Sequence, residues 1–312
     1  MKSLTDALNE YLGLRRRMGF LLVDHEESLK AFVRFLDARG ARFITSELAV
    51  EWARLPGGAT SVRHARRLAM ARDFAKYVLA TDPRTEVPPQ GLLPNLARRP
   101  QPYIYTPGQI AALIRAAAEL QPCEGLRIRR HTYSTLFGLI AATGMRVREA
   151  LSLECRDVDL EDGVITVRES KFCKTRLLPV HRSTLERLRE YALLRDGRVR
   201  LAPSGLFFVS DRRTRLQYVP VNYTFLLISR RIGLRRAGAP HGPRLHDLRH
   251  TFAVRVLADW YRSGGDPARC LPLLSTYLGH ANVNNTYWYL SATPDLLGAA
   301  NERLERLMGG QA

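Results

Sequence analysis

Three short segments of the chain place arginine, histidine and tyrosine in spacings that suit attack on a phosphodiester. They are TGMRVREAL, RLHDLRHTFA and YLGHANVNNTYWYL, which begin at residues 143, 244 and 277. Such an attack needs a nucleophile, cations that bind the non-bridging oxygens of the phosphate, and an acid that protonates the leaving oxygen. The three segments supply candidates for the first two of these tasks.

The first two segments supply the cations. Arg146 follows a helix break predicted at Gly144, where its guanidinium can enter a cleft, and Glu149 can hold it from three residues away. Taken alone, this pair is more typical of a salt bridge on a solvated surface. His246 and Arg249 are also three residues apart, so both can reach one phosphate from one helical face. The neighbouring His250 points in a different direction, which is compatible with a structural role.

The third segment supplies a further histidine and two candidate nucleophiles. His280 follows a glycine, where a short turn can present its imidazole ring. Tyr287 and Tyr289 are two residues apart, so on a helix their side chains point about 200° away from each other. The two tyrosines therefore cannot share one role.

Metal-dependent hydrolysis and acyl transfer are both poorly supported. Acidic residues cluster only ahead of a predicted hairpin, as turn and surface residues do, and G-x-S-x-G does not occur. We therefore expect no metal at the site. The acidic residues of the cluster are Asp157, Asp159, Glu161 and Asp162.

Composition points to a polyanionic partner. The chain has 312 residues and a formal net charge of +18, which favours nucleic acid or an anionic membrane surface. Nucleic acid is favoured, since no apolar run approaches the roughly 18 residues of a membrane-spanning helix and the N-terminus lacks a signal-peptide core. The four cysteines include no C-x-x-C pair, which argues against a zinc site or a disulfide framework. These features predict a cytoplasmic protein associated with the bacterial nucleoid.

The N-terminal part, residues 1–80, is predicted to be a helical DNA-binding domain. An apolar stripe at i, i+3, i+4 and i+7 starts at Leu29, with Gly40 as a C-cap, and a second long helix runs from Ser61 to about Leu79. The second helix carries an arginine face that is either solvated or bound to phosphates. Residues 81–105 are rich in proline and predict an interdomain linker. Candidate phosphate contacts are Arg63, Arg66 and Arg67 on the helix and Arg98 and Arg99 in the linker.

Residues 106–312 are predicted to form a second domain that carries the three segments. A capping box at Thr106 and Gln109 opens it. Two β-rich runs around a short loop, in GVITVRESKFCKTRLLPV, predict a hairpin. The predicted fold class is therefore mainly α with a small antiparallel sheet (α+β). Helices are expected near residues 131–143, 147–154, 183–196, 221–233, 246–263, 267–278 and 293–308.

The ordered set of TGMR, a hairpin lysine, HDLRHTFA and LGHANVNNTYWY resembles the tyrosine recombinase (phage integrase) family over roughly residues 105–295. Tyr289 lies nine residues after His280, the spacing of the family's nucleophile, and Tyr287 is then a packing residue or a DNA contact. The family's G-K-G turn reads Ser170-Lys171-Phe172 here, so Lys174 stays an alternative to Lys171. The resemblance implies a catalytic set of Arg146, Lys171, His246, Arg249, His280 and Tyr289, with Glu149 in support.

The resemblance also implies a reaction and an assembly. Tyr289 would attack the phosphate to give a 3′-phosphotyrosyl enzyme, with His246 as the expected aid to its deprotonation and without ATP or a metal. The family fold is a two-domain, C-shaped clamp on double-stranded DNA. Its assembled form is a homo-tetramer on two DNA sites, or a hetero-assembly with related recombinases. A C-terminal helix after about Pro294 is expected to dock on a neighbouring subunit.

Two other functions fit much of the same pattern. A type IB topoisomerase shares the catalytic set but relaxes supercoils as a monomer. A DNA-binding accessory subunit of a larger recombinase system would carry the site without using it. The N-terminal helical domain and the C-terminal helix favour a site-specific recombinase that integrates, excises or transposes a mobile element.

Overall fold

A computed structural model describes residues 3–20, 22–55, 57–94, 101–121, 127–170, 174–198, 205–236, 238–239, 241–263, 267–280, 282–291, 298 and 305. The chain divides into two compact units, Met1–Pro100 and Gln101–Ala312. In the part of the chain that the model describes, no helix combines the length and the apolar character needed to cross a membrane.

The first unit is helical, with four helices among its described residues. Three of the helices begin at hydroxyl N-caps, where the side chains of Ser3, Thr45 and Thr60 accept backbone N–H bonds. The stripe that starts at Leu29 is buried against Trp52, whose ring centroid lies 4.7 Å from that of Phe32, which confirms the predicted core face. The helices are α1 (Leu4–Arg17), α2 (Val23–Ala38), α3 (Ser46–Arg54) and α4 (Ser61–Leu79).

The first part of the proline-rich segment packs on this unit. The Arg72 guanidinium donates to the carbonyl oxygens of Pro88 at 2.6 Å and Pro89 at 2.8 Å. The N–H of Glu86 bonds to the Ile44 carbonyl at 2.8 Å, and Leu93 is buried in the same core. Because proline lacks an N–H but keeps its carbonyl, a proline-rich strip can still be fixed by side-chain donors. Residues 81–93 are therefore part of the first unit and not free linker.

The second unit is mostly helical with one small sheet, which confirms the predicted fold class. It opens with the predicted capping box between Thr106 and Gln109. Its helices are α5 (Pro107–Ala118), α6 (Arg129–Thr143), α7 (Val147–Ser152), α8 (Arg182–Arg198), α9 (Tyr218–Arg231), α10 (Asp247–Arg262), α11 (Pro267–Leu278) and α12 (Asn284–Tyr287), followed by a 3₁₀ turn at Trp288–Ser291. The C-terminal helix predicted at 293–308 lies outside the described residues, apart from Gly298 and Glu305.

The sheet contains the predicted hairpin and one strand that was not predicted. The order is β1 (Val158–Asp159), β2 (Val164–Ser170) and β3 (Lys174–Pro179), all antiparallel. The hairpin register pairs Ile165 with Leu178 and closes with Ser170 opposite Lys174.

One acidic residue ahead of this sheet departs from its predicted surface position. Asp157 is 5% exposed, accepts the N–H of Glu154 at 3.0 Å and pairs with Arg168. Its neighbour Asp159 caps the tight turn before β2, where it accepts the N–H groups of Glu161 and Asp162. Within the acidic cluster, Asp157 is thus a buried ion-pair partner and Asp159 stabilises a turn.

Helix α6 is the centre of the second unit. It packs against α5, α8 and α10 and is buried on most of its circumference, since Leu136, Phe137, Leu139 and Ile140 point in different directions. A second apolar cluster joins α10, α11 and Tyr289. These two cores hold the C-terminal end of α6, the N-terminal end of α10 and the C-terminal end of α11 next to one another. The three sequence segments meet at these helix ends.

Candidate active site

Arg146 is presented by a sharp break between α6 and α7. Gly144 ends α6 with φ of +62°, a left-handed conformation, and a Cβ there would lie 2.5 Å from Cδ1 of Phe252. Arg146 is the N-cap of α7, and the Glu149 carboxylate accepts both its backbone N–H at 2.9 Å and its Nη1 at 2.7 Å. The guanidinium keeps 27% exposure, so it can still receive an anion.

Glu149 is buried between two arginines. Arg176 of β3 donates Nη2 to its Oε2 at 2.7 Å and Nη1 to its Oε1 at 3.1 Å, as a bidentate fork. Burial raises the pKa of Glu149, but the hydrogen bonds and charges of Arg176 and Arg146 outweigh it and hold that pKa below its ordinary value. The interpretation of Arg146 and Glu149 as a solvated surface salt bridge is wrong, because the two side chains are only 27% and 9% exposed.

Three arginines from three elements donate hydrogen bonds to successive carbonyl oxygens at the end of α11. Arg176 Nε donates to the Tyr277 oxygen at 2.9 Å, and Arg249 Nη2 donates to that of Leu278 at 2.8 Å. Arg146 Nη2 completes the row at the Gly279 oxygen, at 2.7 Å. These carbonyls are the unsatisfied, partly negative groups of a helix C-terminus. The arrangement therefore fixes β3, α7 and α10 around one turn.

That turn presents His280. Gly279 has φ of +69°, and a Cβ on it would lie 2.7 Å from Nη1 of Arg176, so only glycine fits. His280 follows immediately, with Nδ1 2.7 Å from Oγ1 of the fully buried Thr286. The imidazole is thus oriented from its Nδ1 side, as a histidine in a binding site requires.

His246 and Arg249 lie on the first turn of α10, beside the arginine row. Arg249 is 2% exposed, and its Nη1 donates to the Gly144 carbonyl at 2.8 Å. Burial and the nearby charge of Arg146 lower the pKa of Arg249 to about 10. His246 keeps an edge exposed to solvent, while the surrounding protein and the charge of Arg249 lower its pKa to about 4.

The two candidate tyrosines have opposite surroundings. Tyr289 is 1% exposed, its hydroxyl lies 2.9 Å from Nδ1 of His250, and its ring is stacked 6.2 Å from that of His280. Tyr287 is 48% exposed. Tyr289 thus lies in the same cluster as His280 and the His246–Arg249 segment, whereas Tyr287 is largely exposed to solvent.

The remaining predicted contacts are distributed as follows. Arg63 and Arg66 are exposed on α4, whereas Arg67 stacks on Trp52, with Cζ 3.8 Å from the ring centroid and Nη2 2.9 Å from the Trp52 carbonyl oxygen. Four predicted site residues, or their side chains, lie outside the described residues. They are Lys171, Arg98 and Arg99, together with the side chain of Lys174.

Two residues of this cluster were not predicted from the sequence, Arg176 and His250. Arg176 follows the lysine hairpin in a strand, and no spacing rule relates it to Glu149, which lies 27 residues earlier. His250 had a usable signal, because it directly follows Arg249 in the same segment. A structural role was predicted for His250 only because helical spacing directs its ring away from the face that carries His246 and Arg249.

Replacing Glu149 by Gln should lower the free energy of unfolding by about 3–5 kcal/mol, since two arginines would lose their buried counter-charge. Urea unfolding followed by circular dichroism measures this. The loss should shrink as the pH falls below the ordinary carboxyl pKa of 4.5, because the lowered pKa contributes stability only while Glu149 is ionised.

Glu190 supplies the matched control for this substitution. It pairs with Arg187 at 2.8 Å on the surface, with 64% and 75% exposure of the two side chains, so Glu190→Gln should cost less than about 1 kcal/mol. Equal losses in the two variants would show that Glu149 is not held as a buried counter-ion.

Comparison with known proteins shows which family the chain is related to. The phage integrase family matches residues 105–295. The integrase/recombinase y4rB of Sinorhizobium fredii is 45% identical over 309 residues, which cover 98% of either chain. Tyrosine recombinase XerA of Thermococcus kodakarensis is 33% identical over 174 residues, 55% of this chain and 56% of that one.

Solved structures of similar fold extend over both units. The Tn1549 transposon integrase in complex with transposon right end DNA has a TM-score of 0.67 and 15% identity, covering 98% of this chain and 100% of that one. The XerH recombinase bound to its difH substrate has a TM-score of 0.63 and 20% identity, covering 91% of this chain and 78% of that one. These structures share the fold, and the sequence matches give the relationship: the chain belongs to the phage integrase family, the tyrosine recombinases, and is a DNA recombinase.

Proposed function

We propose that the protein is a site-specific recombinase that cleaves and rejoins DNA through a 3′-phosphotyrosyl intermediate at Tyr289, in the integration, excision or transposition of a mobile element. The observation that carries this proposal is the convergence of Tyr289 with His280 and the Arg146–Arg249 pair around the end of α11. One phenol, two arginines and three histidines in one cluster match the needs of phosphoryl transfer.

The proposed steps use only protein groups. The Tyr289 oxygen attacks the phosphorus in line, and the P–O5′ bond breaks as the O–P bond to tyrosine forms. Arg146 and Arg249 stabilise the charge on the non-bridging oxygens, since guanidinium forks suit phosphate geometry. The 5′-hydroxyl of a partner strand then attacks the phosphotyrosyl bond. One phosphoester replaces another at each step, so the proposal needs neither ATP nor a metal.

The test is strand cleavage of nicked duplexes, selected beforehand by binding to the full-length protein, in buffer that contains EDTA. A nick next to the scissile phosphate lets the short 5′-hydroxyl product diffuse away and traps the covalent complex. We expect a protein–DNA adduct that resists denaturation and disappears after protease treatment. An adduct that forms only with added divalent metal would contradict the metal-free reaction.

The relatives favour recombination over the alternatives, because the relative that matches along 98% of the chain is an integrase/recombinase. An accessory role would appear as specific binding without any adduct, and a topoisomerase role as relaxation of supercoils by a monomer. We propose that the active form is a homo-tetramer on two DNA sites, or a hetero-assembly with related recombinases. Each protomer would bind the duplex with both of its units.

DNA binding should depend strongly on salt. Neutralising several phosphates by a chain of charge +18 predicts a log–log slope of affinity against salt steeper than about −4. Removing both exposed arginines of α4, in Arg63→Ala/Arg66→Ala, should make the slope shallower by about 2, because each lost phosphate contact removes about 1. Fluorescence anisotropy at several salt concentrations measures both slopes.

Arg67→Ala is the matched control on the same helix. Its guanidinium lies on Trp52 and bonds to the Trp52 carbonyl, so its loss should destabilise the first unit by about 1–2 kcal/mol and leave the salt slope unchanged. A slope unaffected by the double substitution would assign DNA binding to another surface.

A further inference from the structure

His250 makes a direct contact with the hydroxyl of the proposed nucleophile. It follows Arg249 on α10, is 7% exposed, and holds Nδ1 2.9 Å from the Tyr289 hydroxyl oxygen. This is the distance of a normal O–H···N hydrogen bond. The sequence suggested no chemical task for this histidine, and the spacing rules of the family resemblance had pointed to His246 instead.

The contact is fixed by aromatic packing on both sides. The His250 ring lies edge-on to that of His246, with centroids 4.8 Å apart, and edge-on to Trp288 at 5.5 Å. Trp288 in turn packs on Tyr289 at 5.4 Å. The imidazole and the phenol are therefore held in one geometry within a buried cluster. Bulk water does not compete there with the imidazole for the hydroxyl proton.

The nucleophile needs such a neighbour. A phenol has an ordinary pKa of about 10, so at neutral pH it must lose its proton as it attacks. The acceptor must lie within about 3.2 Å of the hydroxyl and must bind a proton reversibly near neutral pH. Imidazole satisfies both conditions, since its ordinary pKa is about 6.5.

The other histidine of the segment is suited to a different task. His246 is exposed to solvent and lies near the charges of Arg249 and Arg146, where a phosphate oxygen would lie. The surrounding protein, followed by the charge of Arg249, lowers its pKa to about 4, which makes it a poor base towards a phenol. The geometry thus separates an exposed histidine beside the arginines from a buried histidine that contacts the tyrosine.

We propose that His250 is the proton acceptor for Tyr289, an inference that rests on the proposed role of Tyr289 as nucleophile. The hydroxyl donates to Nδ1, with the ring hydrogen on Nε2. In cleavage the proton moves to Nδ1 as the O–P bond forms and the P–O5′ bond breaks. The leaving 5′-oxygen takes its proton from a separate general acid. In rejoining that acid, now deprotonated, accepts the proton of the attacking 5′-hydroxyl, and the imidazolium returns its proton to the tyrosine oxygen as the O–P bond to tyrosine breaks, so protons and electrons balance over one cycle.

The test varies the base and the acidity of the nucleophile together. Single-turnover cleavage of a nicked duplex is measured for His250→Ala and His250→Gln, each with tyrosine or a fluorinated tyrosine at position 289. Fluorination makes the phenol more acidic, so a base matters less. With tyrosine both variants should lose about 10²–10⁴ in rate, and with fluorotyrosine less than about 10-fold. Glutamine keeps a polar contact but cannot hold a proton, so it should not restore the rate.

His246→Ala is the matched control. It should lose the same factor with either nucleophile, because its partner is the phosphate. Equal losses for His250→Ala on both nucleophiles, or full activity of His250→Gln, would overturn the proposal and leave His250 a packing residue. DNA binding and thermal unfolding of each variant show whether it is folded.

The same experiment separates this inference from the proposed function. If Tyr289→Phe still forms the adduct, the nucleophile itself is misassigned and the function proposal fails. If Tyr289→Phe forms no adduct while the His250 variants cleave at the wild-type rate, the function proposal stands and only the role of His250 fails.

Discussion

Tyr289→Phe should bind its DNA site with unchanged affinity and form no covalent complex. The substitution removes only the hydroxyl oxygen, and the ring is 1% exposed in an apolar cluster with α10 and α11, so the packing should persist. Without the oxygen there is no nucleophile to trap the phosphate. Gel-shift titration measures the binding, and denaturing electrophoresis of a nicked duplex measures the adduct.

Tyr287→Phe is the matched control, two residues earlier. Its side chain is 48% exposed, whereas Tyr289 is 1% exposed beside His250, so the variant should cleave like the wild type. Digestion of the adduct with protease and mass spectrometry of the DNA-linked peptide identifies the residue. A peptide linked through Tyr287 would move the proposed site to the exposed tyrosine and would remove the basis for the role of His250.

Local sequence patterns were sufficient for most of the elements. The glycine that ends α6, the capping box that opens α5 and the stripe on α2 were all predicted from rules that span a few residues, and the structure confirms them. Each depends on a single turn of backbone or on one period of a helix. The strand β1 was missed because two residues, Val158 and Asp159, carry too little pattern to distinguish a strand from a turn.

The contacts that organise the candidate site could not be predicted in the same way. Arg176 and Glu149 meet across 27 residues, and Arg249 meets the carbonyl of Leu278 across 29. Such pairs exist only once the sheet and three helices have packed, and no periodicity encodes them. The pairing also explains why a glutamate that looks like one half of a surface salt bridge is buried: a second arginine, from β3, supplies the counter-charge that makes its burial tolerable.

The position of Tyr289 shows what a family spacing does and does not convey. Counting nine residues from His280 selects the tyrosine, and the structure puts that residue in the histidine cluster. The count says nothing of which group takes its proton. The identity of that group depends on how α10 packs against the turn after α12. This packing brings His250 to the Tyr289 hydroxyl, and no regular spacing in the sequence predicts it.

Lys171→Ala should bind DNA almost as the wild type does and cleave it about 10²–10⁴-fold more slowly. The leaving 5′-oxygen departs as a poor alkoxide unless an acid protonates it. Arginine is unsuited to this, because its pKa exceeds about 12 and it rarely gives up a proton. Only two lysines occur after residue 100, Lys171 and Lys174, and both belong to the hairpin between β2 and β3.

The hairpin register limits where these lysines can lie. Ser170 pairs with Lys174 at the end of the ladder, and Lys174 begins the returning strand. Two residues later in that strand, Arg176 is committed to Glu149 and the end of α11. The first residues of β3 therefore connect Lys174 to the arginine row through a short length of chain, and the family spacing selects Lys171, three residues before Lys174 in the sequence.

A substrate with sulfur in place of the leaving 5′-oxygen distinguishes the roles. A thiolate departs without a proton, so this substrate should restore most of the cleavage rate of Lys171→Ala. Lys174→Ala is the matched control, and it should cleave both substrates at the wild-type rate. If sulfur rescues Lys174→Ala and leaves Lys171→Ala inactive, the two lysines exchange roles. If neither variant is rescued and both bind DNA more weakly, the lysines contact phosphates and the proton comes from elsewhere. Rescue of Lys171→Ala alone would assign the acid step to Lys171.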